Sequence, residues 1–374
     1  MNTTFAPPLS RAPQIVYHTE LLEAFSRWYS NVHGYTSLTI CAFGIPMNVI
    51  NIIVLTRKKL VTPINCILTF LAVADMATML SYVPFAFHFY CSNSAHSISE
   101  DKNTWGWMHF LLVYLNFSAT THTISIWLCV ALAIFRHNNI HSPAKGNLTR
   151  MRRLIRARVV VGIIFVASII IMVPTYLSHK LTKYEKNITI YIFEDWKLGT
   201  GKEKPMVLVS LILYSCLAKL VPCVLIIIYG ALLMITLNNT NAKAKERLSK
   251  NGSTRQPSQR RRDMSRTTIM LLVVIVLFLV TELPQGILIM CCIFLKGFFE
   301  NVYIPLGDSM DIVALINSSV NFILYCTMSR EFRRTFVKLF CTCTRIGRSN
   351  RSFTSSQIRN EQLHATFSEC TPTE

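Results

Sequence analysis

Among the ionisable side chains within stretches that are otherwise apolar are Asp75, His122, Lys219, Glu282, Asp308 and Asp311. A charge at the centre of a bilayer costs roughly 2.5–3.5 kcal/mol on insertion scales, so such groups face a bundle interior or a water-filled cavity and seek partners there. Asp308 and Asp311 stand at i, i+3 on one helical face and together suit a guanidinium fork. The alternative is that one of them caps the helix after Pro305 and pairs with a loop lysine. Lys219 lies three residues before Pro222, and Glu282 two before Pro284. Each needs a counter-charge in mid-membrane, and each is a candidate partner for the other. Asp75 needs hydrogen bonds, a cation or a proton. Ser118, His122 and Ser125 share a face by i, i+3/i+4 spacing and form a polar strip beside these charges.

The elements that must position these groups are visible in the composition. Of 374 residues, 51% are hydrophobic and 15% charged, with a mean hydropathy of +0.38. The apolar residues cluster in seven runs: Tyr35–Thr56, Cys66–Tyr90, Trp107–Phe135, Val159–Leu177, Met206–Leu237, Thr268–Leu295 and Pro305–Ser329. Each can span roughly 30 Å of hydrocarbon as a helix, which predicts an all-α bundle of seven transmembrane helices. The net charge of +19 is unevenly distributed. The tail before the first run and every second loop after it hold ten Lys and Arg, whereas the opposite side holds 27. By the positive-inside rule the N-terminus is outside and the basic side is cytoplasmic. The basic excess is thus explained by topology and argues against a nucleic-acid partner. Residues 1–33 lack a basic segment followed by an apolar core, so the first span is expected to act as the insertion signal. Most of the twelve cysteines lie in the spans as small apolar side chains. Cys91 has no second loop cysteine to pair with, so no external disulfide framework is expected.

The connecting segments add smaller features. Residues 1–34 read as an outer tail with a glycosylation sequon at Asn2, and the longest outer loop carries another at Asn187. Asn187–Phe193 alternates as a strand would, suggesting half of a hairpin over the cavity. After the seventh span, Phe332, Phe336 and Phe340 alternate with Arg330, Arg333, Arg334 and Lys338, which predicts an amphipathic helix at the inner interface over 330–343. Cys341 and Cys343 are candidate palmitoylation sites. Residues 344–374 form a Ser/Thr-rich tail.

Taken together, several motifs resemble the rhodopsin-type (class A) G-protein-coupled receptors over about Tyr35–Cys343. Gly44 and Asn48 resemble the family's span-one motif, Leu71–Asp75 its span-two motif, Arg136 the arginine ending span three, Pro284 the span-six proline, and Asn321 with Tyr325 the span-seven NPxxY. There are departures. Phe135 replaces the acid beside Arg136, Phe322 the span-seven proline and Glu282 the span-six tryptophan, while Leu111 stands where a disulfide-forming cysteine is usual. The stretches Thr281–Gly286, Asp308–Cys326 and Thr121–Leu128 are similar to the invertebrate myosuppressin and FMRFamide-like neuropeptide receptors, with the sex-peptide and myoinhibitory-peptide receptors close by.

The resemblance implies a plasma-membrane receptor for a short amidated neuropeptide, signalling through heterotrimeric G proteins, with arrestin and a receptor kinase acting on the C-terminal tail. The ligand set would be Asp308, Asp311, Glu282, Gln285, His122, Ser118 and Lys219. The switch residues would be Arg136, Pro284 and Tyr325. No cofactor is implied beyond an allosteric sodium ion at Asp75, Ser125, Asn317 and Asn321. An amine receptor of this type needs an acid where Ser118 stands, and an opsin needs a lysine where Leu315 stands. A receptor for a non-peptide or non-amidated ligand is the alternative. A seven-span ion- or proton-coupled transporter would more typically show internal repeats, and none is visible. No nucleophile–base or metal-ligand pattern suggests an enzyme.

Overall fold

The structure is a computed structural model that describes residues 19–141, 146–185, 189–194, 196, 198, 204–250 and 259–341. The expected sites at Asn2, Asn187 and Cys343, and the tail 344–374, lie outside the described residues, as does the side chain of Cys341. Among the described residues, seven helical segments are long and apolar enough to cross a membrane.

In chain order the helices are α1 (Glu20–Leu55), α2 (Pro63–Ala86), α3 (Trp105–His141), α4 (Asn147–Ser178), α5 (Pro205–Leu213), α6 (Val221–Lys250), α7 (Gln259–Phe294), α8 (Ile304–Met328) and α9 (Arg330–Phe336). The fifth span is α5 and α6 joined through a π-helical segment, Tyr214–Leu220. Between α4 and α5, strands β1 (Leu181–Glu185) and β2 (Thr189–Phe193) form an antiparallel hairpin in which Lys183 faces Tyr191. This supplies the partner for the strand expected at 187–193.

Local chemistry accounts for the boundaries. Thr62 caps α2, its hydroxyl accepting from the Asn65 N–H at 3.1 Å, with Pro63 preset for the first turn. Ser329 does the same for α9, accepting from the Phe332 N–H at 3.3 Å. The π-helical segment of the fifth span ends just before Pro222, whose ring cannot donate a backbone bond and crowds the carbonyl four residues earlier. The wider turn absorbs that conflict, and Lys219 falls within it. Gly297, at φ +74°, makes the turn from α7 towards α8.

Helix α1 begins at Glu20, so residues 20–34 of the expected outer tail are helical. Glu20 and Glu23 favour a helix start by complementing its dipole. Ser30, His33 and Gly34 are buried, so the helix has an inner face well before the apolar run starts at Tyr35.

The interior has two large packed regions. Towards the basic loops, Ile126, Leu128, Leu132, Phe278 and Tyr325 pack with Phe332 of α9. Towards the other side, Met79, Tyr82, Phe85, Tyr114 and Leu315 pack together. Outward faces carry exposed Ile, Val, Leu and Phe, as expected of surfaces that meet lipid.

Gly34 lets α1 approach the end of the second span. A Cβ there would lie 2.7 Å from the Tyr90 Cβ and 2.7 Å from the Cys91 Sγ. Alanine favours a helix interior by about 1 kcal/mol over glycine, yet Gly34→Ala should lower the thermal unfolding temperature of the detergent-solubilised protein. An increase would show that the two helices separate easily.

Candidate functional site

Between the helices lies a cavity of about 350 Å³ whose lining includes Tyr82, Ser118, His122, Tyr214, Gln285 and Asp311. That volume suits a compact ligand or the end of a longer one.

Behind the lining residues His122 and Gln285 the cavity floor rests on Glu282 of α7, which is 1% exposed and, like Lys219, does not itself line the cavity. Lys219 Nζ donates to Glu282 Oε2 at 2.5 Å and to Gln285 Oε1 at 2.8 Å. His122 Nε2 of α3 lies 2.9 Å from one carboxylate oxygen and 3.0 Å from the other, the geometry of a donating Nε2–H. Thr281 Oγ1 donates to Glu282 Oε1 at 3.2 Å. The Lys219 ammonium also stands 5.5 Å from the centre of the Tyr214 ring. Close approach of α7 to the π-helical segment requires Gly286, where a Cβ would lie 3.0 Å from the Lys219 Cβ. The Gly286 carbonyl accepts from Ser215 Oγ at 2.9 Å. Lys219 and Glu282 are thus paired, as their isolation in the sequence suggests, and His122 and Gln285 complete the cluster.

The acidic wall is separate. Asp311 accepts from the Tyr82 hydroxyl at 3.2 Å, and Asp308 from the Tyr90 hydroxyl at 2.6 Å. Tyr82 is itself 2.7 Å from His33 Nε2, and the His33 ring packs 4.6 Å from that of Tyr90. Helix α8 starts at Ile304 with Tyr303 as its N-cap, so neither acid caps it. Among the described residues, no lysine or arginine pairs with either carboxylate. Asp311 lines the cavity, whereas Asp308 lies one turn closer to the start of α8.

Deeper in the bundle, Asp75 accepts from Ser125 Oγ and from Asn321 Nδ2, each at 3.0 Å. Asn317 is buried nearby in sequence but makes no hydrogen bond to Asp75. Asn48 Nδ2 donates to the Ser318 carbonyl at 3.1 Å, tying α1 to α8. Arg136 is buried near the C-terminal end of α3, Pro284 lies inside the continuous α7, and Tyr325 packs 5.5 Å from Phe332. Among the described residues no group of three His, Cys, Asp or Glu side chains converges as metal ligands.

The remaining wall was not anticipated from sequence. His179 and Trp196, on either side of the hairpin, pack with ring centres 4.9 Å apart and line the cavity with Phe299 and Tyr303. Burial pulls the His179 pKa below the usual imidazole range, opposed by the contact of its Nδ1 with the Thr175 carbonyl. Tyr82, Tyr90 and His33 were likewise missed, because tyrosines in an apolar run read as core.

A bundle of seven helices long and apolar enough to cross a membrane, packed around an interior cavity, defines a class, the rhodopsin-like seven-helix fold. The solved structure of squid rhodopsin shares this fold, with a TM-score of 0.62, 16% identity and coverage of 89% of this chain and 92% of that one. Residues 35–343 match the family described as Serpentine type 7TM GPCR chemoreceptor Srw, and the chain belongs to that family. It is therefore a multi-pass G-protein-coupled receptor and not an enzyme. The chain is 29% identical to the G-protein coupled receptor dmsr-1 of Caenorhabditis elegans, covering 84% of this chain and 69% of that protein. It is 24% identical to the sex peptide receptor of Drosophila melanogaster (83% and 72% covered) and 26% identical to the thyrotropin-releasing hormone receptor of Gallus gallus (87% and 83%).

Removing one member of a buried ion pair strands the other, at a typical cost of about 3–5 kcal/mol. Lys219→Met and Glu282→Gln should each lower stability on that scale. The Lys219→Glu, Glu282→Lys double variant should recover part of the loss in a double-mutant cycle of thermal unfolding. Additive losses would show that the two groups act independently.

Proposed function

We propose that this receptor is activated by a short, C-terminally amidated peptide containing arginine, of the FMRFamide-like or myosuppressin-like kind. The observation that carries the reading is the acidic wall. Two carboxylates at i, i+3 are held by tyrosine hydroxyls and have no cationic partner among the described residues. A guanidinium can supply that partner through two parallel bonds, which an ammonium cannot match.

The floor supports amidation. Lys219 is committed to Glu282 and Gln285, so a terminal carboxylate arriving there would face Glu282 with no spare cation. A carboxamide both donates and accepts, which suits Gln285, His122 and Ser118. Phe299, Tyr303, Tyr214 and Trp196 offer aromatic surface to the ligand's aromatic side chain. Relatives named as sex peptide and thyrotropin-releasing hormone receptors favour a peptide over a metabolite.

Binding would shift the bundle towards a state open to a heterotrimeric G protein only if the peptide prefers that state. The floor is placed to read the difference, since it joins α3, the fifth span and α7 close to Pro284. This reading puts the receptor in the plasma membrane with its N-terminus outside, glycosylated at Asn2 and Asn187, and with α9 along the inner leaflet anchored through Cys341 and Cys343. Arrestin and a receptor kinase would engage the tail 344–374. Asp75 and Ser125 supply hard oxygen donors suited to a sodium ion, and Asn317 and Asn321 have carboxamides in the same part of α8.

The test is G-protein activation in cells expressing the chain, using amidated Arg-Phe peptides, their free acids and citrulline analogues. Asp311→Asn and Asp308→Asn should each weaken the arginine peptide by about 10- to 100-fold, the range for a charged hydrogen bond. The citrulline peptide should be nearly unaffected. Equal losses for both peptides would refute direct pairing, and activation by free acids alone would refute the amide reading.

A further inference from the structure

Residues 178–205, which contain the β1–β2 hairpin, include no cysteine. No disulfide from this segment can therefore tether the hairpin, and among its non-covalent contacts those of one residue stand out. The Tyr191 N–H donates to the Asn103 carbonyl at 3.0 Å, while Asn103 Nδ2 donates to the Tyr191 carbonyl at 3.2 Å. Asn103 thus satisfies both backbone groups of the central residue of β2 on the edge away from β1, as another strand would.

The base of this clasp is fixed in its turn. The Asn103 N–H donates to the Ser99 carbonyl at 3.0 Å. The neighbouring Lys102 directs its ammonium back at the Ser94 and Ala95 carbonyls, both at 2.7 Å. The His88 ring contacts the Lys102 carbonyl at 3.3 Å and stacks on Trp107 at 3.7 Å. Asn103 also points Nδ2 at the Met108 sulfur, 3.6 Å away in the first turns of α3. The outer loop from 93 to 104 is accordingly a folded support, and its buried asparagine is the point where the hairpin meets it.

What the clasp controls is the cavity wall. His179 and Trp196 flank β1 and β2, and the Glu194 N–H donates to the Lys180 carbonyl at 2.9 Å, so the hairpin holds its two ends together. Those ends carry both aromatic wall residues. We propose that Asn103 is the positioning residue of this lid, a non-covalent clasp that fixes the hairpin over the cavity and slows the escape of a bound ligand. The effect on the ligand rests on the peptide reading above, whereas the docking of the hairpin does not.

The test separates the two. Asn103→Asp keeps the side-chain shape but replaces the donor with an acceptor facing the Tyr191 carbonyl. Backbone hydrogen exchange over 189–193 of the purified full-length receptor should accelerate about tenfold, with exchange over 120–135 of α3 unchanged. Tenfold corresponds to about 1.4 kcal/mol, the scale of one net hydrogen bond. Dissociation of an amidated Arg-Phe peptide should accelerate by a similar factor with association little altered. Unchanged exchange would overturn the clasp. Faster exchange with unchanged peptide release would overturn the hairpin's role as a lid. If no such peptide binds even the unaltered receptor, the peptide reading fails while the exchange result still decides the clasp. Should Asn103→Asp not reach the membrane, Asn103→Ser, which keeps the backbone half of the clasp, allows the same comparison.

Discussion

A carboxylate sealed from water inside a membrane bundle must be matched by charge and hydrogen bonds, or it will not stay ionised there. Glu282 meets this requirement from three directions: Lys219 from the fifth span, His122 from α3 and Thr281 from its own helix. Much of the local backbone follows from it. The π-helical segment before Pro222 contains Lys219, and Gly286 allows α7 to come within reach of it. Without the wider turn or the missing Cβ, the ammonium and the carboxylate would be held apart at a cost neither could offset with solvent.

The same rule gives the acidic wall its different character. Asp308 and Asp311 are partly accessible and receive neutral hydroxyls rather than cations. A hydroxyl donates to a carboxylate without supplying a counter-charge, so the wall keeps room for a cation beside α8. The cavity is therefore polarised, with a charge-balanced floor and an acidic wall. This distribution is what the proposed arginine-containing, amidated peptide would answer in both places, whereas a simple cation or a free acid would answer only one.

How far the sequence foretold this arrangement depends on whether a partner announces itself. Lys219 and Glu282 were legible because an intramembrane charge is conspicuous and few groups can answer it. The shared face of Asp308 and Asp311 followed from helical spacing, and Asp75 with Ser125 and Asn321 from the motifs around them. Tyr82 and Tyr90 were hidden because a tyrosine in an apolar run is indistinguishable from core until its hydroxyl finds a partner. His33 was hidden because residues 20–34 alternate polarity too irregularly to show that one face is buried. The strand expected at 187–193 was visible in its alternation, but β1 mixes Lys183 and Glu185 with Thr and Tyr and gave no comparable signal. The contact between Asn103 and Tyr191 joins two loops distant in sequence, and no local pattern encodes it.

The polar layers are not isolated from one another. His122 and Ser125 are three residues apart on α3, on one face of a single turn; the first contacts Glu282, and the second donates to Asp75. Helix α8 repeats the arrangement over a longer distance, with Asp311 on the cavity wall and Asn321 donating to Asp75. A helical turn is stiff, so rotating either helix to satisfy a ligand above would also strain the hydrogen bonds of Asp75 below. Since Tyr325 follows Asn321 by one turn and packs against Phe332 of α9, the strain would reach the α9 end of the bundle through two short, contiguous steps. Such a chain needs no tryptophan switch in α7, where Glu282 stands. It needs only that the polar contacts of each layer have two arrangements and that the ligand prefer one of them.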